Sequence, residues 1–171
     1  MITGLGYHSG FMKLSPKRAV VAGSLSLATA LGGCSALPKD ADGSYERARG
    51  NTLVVGVSPH EPWTEVDPST GEVTGSEARL VEGFADSIGA GVDWRVGPET
   101  ELAQWMEDGD IDVAIGGLEA DSPWTDQLAL TRPYEKVEDD AGKTHKMVMG
   151  VGLGENKMLV ELERYLSEEE H

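Results

Sequence analysis

The sequence predicts an α/β fold, a single lobe with an open, mostly parallel five-stranded sheet flanked by helices. Three observations predict it. Short β-branched runs alternate with amphipathic stretches in the order strand, helix, strand, helix, strand, which is how parallel sheets are wound. Glycines close the helical stretches, Gly89 and Gly91 after the first and Gly109 after the second. The segment that carries this pattern is about 120 residues long, enough for one core and not for two.

"TLVVGVS", Thr52 to Ser58, is short, β-branched and apolar, and reads as the first strand. "PHEPW" follows as a loop, and "EVDPSTGEVTG" as a turn or small hairpin around Pro68 and Gly71. Ser76 is placed to cap a helix reaching about Ile88, with Leu80, Val81, Phe84, Ala85 and Ile88 on one stripe. "VDWRV" is the second strand. Thr100 is placed to cap a short helix whose Leu102, Trp105 and Met106 face inward, and Trp94 and Trp105 are expected in the core. Ile111 to Ile115 is the third strand, with Asp112 expected to be structural. "LALT" and "RPY" form a fourth extended piece, and "EKVEDDAGKTH" is polar and turn-like. Lys146 to Gly152 is the fifth strand. Asn156 opens a last helix with Met158, Leu159, Leu162, Tyr165 and Leu166 on one side.

The first residues are expected to be a targeting segment and not fold. Lys13, Lys17 and Arg18 precede fifteen small, uncharged residues, Ala19 to Gly33, too few to span a bilayer comfortably as a helix. Met12 opens "MKLSPKR", a more usual signal start. The segment ends in "LGGC", and Cys34 is the chain's only cysteine. This resembles the lipobox of a bacterial lipoprotein, which implies cleavage before Cys34, acylation of its thiol and attachment to a membrane. Residues 1–33 are thus expected as signal peptide, 34–50 as a flexible tether and 51–171 as the folded domain.

Cleavage there removes three of the 14 Lys and Arg residues and none of the 30 Asp and Glu residues, so the mature chain carries a formal charge of −19. Such a chain is repelled by nucleic acid and by anionic lipid head groups, and solubility accounts for the charge. No cysteine is left for a disulfide, so stability must come from packing.

"LVVGVSPHEPWTEVDPSTGEVTGSEARLVEGFADSIG" resembles the opening of the extracytoplasmic solute-binding proteins of polar amino-acid ABC transporters. The matching pieces are Pro62-Trp63, Gly71, then Gly75 with Glu77. "MEDGDIDVAIGGL" and "LTRPY" are similar to the family's Gly-x-Ile-Asp strand, Gly-hydrophobic exit and Pro-Tyr, so the likeness runs from about Leu53 to Tyr134. The resemblance implies export and binding of a small solute. It also implies a second lobe after "RPY", where only Glu135 to His145 stands. The strand and helix from Lys146 to Leu166 look like the family's return into lobe one, which argues against a random truncation. Family members also hold the ligand's α-carboxylate with hydroxyl groups and an Arg fork. The hydroxyl positions fall here on Glu119 and Asp121 and the Arg on Trp124, so a free amino acid is expected to be a poor ligand.

In open α/β sheets ligands sit beyond the carboxyl ends of the strands. Two loops qualify, His60 to Trp63 and Gly116 to Trp124. The expected ligand-binding residues are therefore His60, Trp63, Gly117, Glu119, Asp121 and Trp124. Glu119 and Asp121 with His60 can hold a metal or an organic cation between the two indoles. Alternatively Asp121 or Ser122 caps the short helix of "SPWTDQ", with Pro123 in its first turn, Glu119 is merely solvated, and Trp63 roofs the core. No metal-ligand set and no cofactor is assigned. No nucleophile with a base, phosphate loop or His-rich motif is present, and Glu119 and Asp121 stand on one loop instead of facing across a cleft, so no enzyme is expected.

The expected function is that of a membrane-anchored, single-lobe binding or accessory component of a transport system. Its partners are a cationic or neutral solute and a membrane transporter or sensor, with no nucleic acid. The alternative is a ligand-free interaction protein that docks on such a partner, which a large exposed apolar face would favour.

Overall fold

The first strand, β1 (Thr52–Val57), buries Leu53, Val55 and Val57 completely. The computed structural model describes residues 38–169; the expected signal segment and Cys34 lie outside the described residues. β1 pairs in parallel with β4 (Gly91–Val96) on one side and β5 (Val113–Glu119) on the other. β5 then pairs antiparallel with the long strand β8 (Thr144–Gly152). The outer edge of β8 carries β6 (Leu128–Leu130) against its last residues and β7 (Glu135–Glu138) against its first. Only β8 runs against the rest, so five of the six strands point the same way and the sheet is mostly parallel. A separate hairpin of β2 (Glu65–Val66) and β3 (Val73–Thr74) forms around the expected turn.

Period-two alternation divides the core between the two faces of the sheet. Val113, Ile115, Met147, Met149 and Val151 face α1 (Ser44–Ala48), α2 (Ser76–Ser87) and α4 (Asn156–Glu169). Their partners there include Val81, Phe84, Met158 and Leu162, all buried. Ala114, Leu118 and Val148 face the other way, against Leu102 and Met106 of α3 (Glu99–Glu107). Burying a side chain the size of Phe84 or Leu162 contributes roughly 1.5–3 kcal/mol, so the helix stripes and strand alternation fix each other's orientation.

Four expectations need correction. The sheet has six strands, because "EKVEDDAGKTH" is a hairpin and not an irregular turn. Val137 packs toward the core, while Asp139 accepts from the backbone N–H groups of Ala141 and Lys143 at 2.9 and 2.8 Å and closes the turn. The expected tether is part of the fold from Asp40 onward. Tyr45 and Ala48 of α1 are buried, and Asp40 accepts from the N–H groups of Tyr45, Lys157 and Met158, capping α1 and α4 together. Glu155 accepts from the N–H groups of Asp42 and Ser44 at 2.6 and 2.8 Å. Neither Ser76 nor Thr100 is a cap, since the N-caps are Gly75 and Pro98. Trp94 and Trp105 are only half-buried, lying at the margins of the two clusters. Asp112 is structural, buried and bonded to the Val54 N–H at 3.0 Å and to Arg47 at 3.2 Å.

Candidate binding recess

The site begins with a fault in the β5–β8 ladder. Val113 and Ala114 pair with Val151 and Gly150, but the next pair is Leu118 with Val148, so β5 carries two extra residues. Those residues are Gly116 and Gly117, with φ of 149° and 66°. A side chain on Gly116 would strike Ser58, and one on Gly117 would strike His60 and Trp63, so glycine is required at both.

The bulge takes two N–H groups out of the ladder, and Glu77 receives both. Its Oε2 accepts from Gly116 at 2.8 Å and from Gly117 at 3.0 Å, and its Oε1 accepts from the Tyr134 hydroxyl at 2.6 Å. The Glu77 N–H in turn donates to the Trp63 carbonyl at 3.0 Å, where Gly75 lies too close to that carbonyl for any side chain. The motif pieces Pro-Trp, Gly-x-acid, Gly-Gly and Pro-Tyr thus close on one carboxylate. Burial pushes the Glu77 carboxyl above the usual carboxylate range, opposed by the Tyr134 hydroxyl and the two glycine donors. Burial also pushes the Tyr134 hydroxyl upward, and the Glu77 charge adds to it.

Above this bulge, beyond the carboxyl end of β5, an open recess of about 310 Å³ is lined by His60, Gly117, Glu119 and Asp121 together with Glu99 and Lys143. Four of the six residues expected from sequence meet here. The other two do not line it. Trp63 is half-buried behind His60, its ring edge-on at 5.0 Å, and packs on the core. Trp124 packs beside the α3 cluster and donates its Nε1 to Glu99 at 2.9 Å. It belongs to the short 3₁₀ turn Pro123–Asp126, which Ser122 caps by accepting from the Trp124 N–H. His60 donates Nδ1–H to the Gly116 carbonyl at 3.0 Å, because a carbonyl can only accept; Nε2 is left as the ring's free polar atom.

Sequence reasoning missed Glu99, Lys143 and His145. Glu119 Oε2 lies 2.8 Å from His145 Nδ1 and 3.9 Å from Lys143 Nζ, and His145 Nε2 lies 3.2 Å from Asp139. Both ring nitrogens face carboxylates, which only accept, an arrangement that favours the imidazolium form of His145. The Glu119 and Asp139 carboxylates hold it above the ordinary histidine value. The Lys143 N–H and the His145 ring hold Asp139 below the usual carboxylate range. Glu119 is therefore ion-paired, not merely solvated. Among the described residues no group of three or more His, Cys, Asp or Glu is placed to hold a metal ion.

The profile of the bacterial extracellular solute-binding proteins, family 3, matches residues 53–144, more than half of the chain. The chain belongs to this family. Family membership makes it a solute-binding protein of the extracytoplasmic transport class. No curated protein matches the chain. The arginine-bound form of domain 1 from TmArgBP shares the fold with a TM-score of 0.60 and 22% identity, over 72% of this chain and 94% of that one. The L-cystine solute receptor of Neisseria gonorrhoeae, unliganded and open, gives 0.61 and 12% over 73% and 90%. The ancestral amino-acid-binding protein AncCDT-1, a precursor of cyclohexadienyl dehydratase, gives 0.63 and 12% over 73% and 92%. The family member described here therefore has the fold of one binding-protein lobe.

Proposed function

We propose that this chain is a lipid-anchored, single-lobe substrate-binding or accessory component of a transport system, held to the membrane outside the cytoplasm through Cys34. It takes a cationic or neutral solute at the recess and passes it to a membrane transporter or sensor. The observation that carries this reading is the lining of the recess. Glu119 and Asp121 at the carboxyl end of β5 line it together with Glu99 at the start of α3, while the position of the family's Arg fork is taken by Trp124, whose ring packs elsewhere. A lone lobe has a precedent as a ligand holder in the arginine-bound form of domain 1 from TmArgBP. In this reading the chain acts by binding, as the other members of its family do.

One observation favours the alternative, a ligand-free docking protein: Glu119 already has partners within its own chain. Against it, the large apolar side chains exposed among the described residues stand singly, Val96 at the end of β4, Leu153 in the turn after β8 and Val160 on α4.

The two readings separate in a thermal-shift series with amino acids, polyamines, choline-like cations and divalent metals. A ligand that prefers the folded state raises the midpoint in proportion to the logarithm of its concentration. A shift with cations, abolished by Glu119→Gln with Asp121→Asn, supports the binding reading. A shift with free amino acids overturns the charge argument, and no shift with any of them supports docking.

A further inference from the structure

The hairpin that stands where the family inserts a second lobe brings cations of its own to the recess. We propose that this hairpin is the intramolecular occupant of the site: Lys143 and His145 hold Glu119 in place of a cationic solute and must leave for one to bind. The inference rests on the reading of the recess as a cation site.

The geometry gives the hairpin both sides of the mouth. Glu119 and Asp121 line the recess that Lys143 borders, and they line a second recess of about 310 Å³ with Thr144 and Lys146. One strand tip thus supplies wall to both. Its contacts with Glu119 are built to break. The side chains of His145 and Glu119 are 22% and 33% exposed, and Lys143 is 59% exposed at 3.9 Å, so water screens both pairs. Releasing Glu119 leaves the hairpin standing, because its turn is closed separately by Asp139 and its register by the β7–β8 ladder.

Two cations tethered within reach of one carboxylate are a permanent competitor, and an incoming cation must exceed their effective concentration. Such a device rejects simple monovalent ions and favours a solute that makes further contacts with Asp121, Glu99 or His60. It also makes binding depend on pH. The charged groups that face His145 are Glu119 from β5 and Asp139 and Lys143 from the turn, with Glu138 and Lys146 flanking on the two strands. The carboxylates keep the ring charged above the ordinary histidine value, against the Lys143 charge. As pH rises through its titration the ring discharges and Glu119 keeps only the longer contact to Lys143, so cation binding strengthens in the alkaline direction.

The test uses the full chain with 1,5-diaminopentane as probe, and two-dimensional NMR of the imidazoles. Removing both tethered cations, Lys143→Gln with His145→Gln, is expected to tighten diamine binding about two- to five-fold, the scale of exposed ion pairs, and to abolish its pH dependence. Independently of any ligand, Glu119→Gln is expected to lower the His145 titration toward that of a free histidine. Equal or weaker binding by the double variant overturns the proposal while the cation site stands. Failure of the diamine to bind any form at any pH overturns the cation reading of the recess and this proposal with it. A His145 titration that Glu119→Gln leaves unmoved overturns the pairing itself.

Discussion

Glu77→Ala removes the acceptor on which the two bulge N–H groups and the Tyr134 hydroxyl converge. A buried donor stripped of its partner costs about 1–3 kcal/mol, and three of them, discounted for non-additivity, cost about 4 kcal/mol. For a domain of this size that lowers the melting midpoint by roughly 15 °C. Glu77→Gln keeps the shape. Its carbonyl can take the Oε2 position and accept both glycine N–H groups, while its amide donates to a Tyr134 hydroxyl turned to accept, so the loss is about 1 kcal/mol. Tyr134→Phe leaves one carboxylate oxygen without its donor and falls between, at about 2 kcal/mol. Burial raises the folded-state pKa of Glu77 above the unfolded value of 4.5, so its contribution is full below that value and is lost as pH rises through the folded pKa. Glu77→Gln removes this slope. Urea unfolding at 25 °C of wild type and the three variants, between pH 4 and 8, measures all of this. An alanine variant within 1 kcal/mol of wild type, or a glutamine variant as damaged as the alanine one, refutes the claim that this carboxylate holds the bulge.

Gly117→Ala is expected to cost about 2–4 kcal/mol and to displace His60, because the new Cβ would lie 2.7 Å from His60 Nδ1 on a backbone with φ of 66°; urea unfolding and the His60 NMR signals check both effects. Asp40→Ala removes the caps of α1 and α4 at once, a loss of about 1–2 kcal/mol that hydrogen exchange should show first at residues 41–50. His145 has a raised folded pKa, so what it adds to the hairpin is full below 6.5 and is lost as pH rises through that pKa. Amide exchange in β7, corrected for intrinsic rates, should accelerate over that interval in wild type and not in His145→Gln.

Much of the fold was legible because it rests on local patterns. The α2 stripe, the strand alternation and the Gly stops each follow from residues a turn or a pleat apart. The sixth strand was not, because β7 is an exposed edge of which only Val137 is half-buried, and an edge strand paired on one side lacks the apolar alternation that marks a strand. The α1 segment was not either, since its polar "SYERA" is held by Asp40 and Glu155, the latter more than 100 residues from the groups it binds. At the recess, the two loops were predictable from strand polarity, and four of the six residues expected there meet. Trp124 departs because Pro123 and Ser122 start a 3₁₀ turn that carries its ring toward α3.

By itself the sequence determined the α/β order, the places of the Gly116-Gly117 pair and of the acids Glu119 and Asp121, and the family. These are properties of residue type and spacing, which the chain carries before it folds. Tertiary structure decided which charges meet. Glu77 lies 39 residues from Gly116 and 57 from Tyr134, and Glu119 lies 26 from His145, yet each set shares hydrogen bonds. An ion pair acts only over a few ångströms, and no local pattern records which distant carboxylate a histidine will face once β5 and β8 are laid side by side.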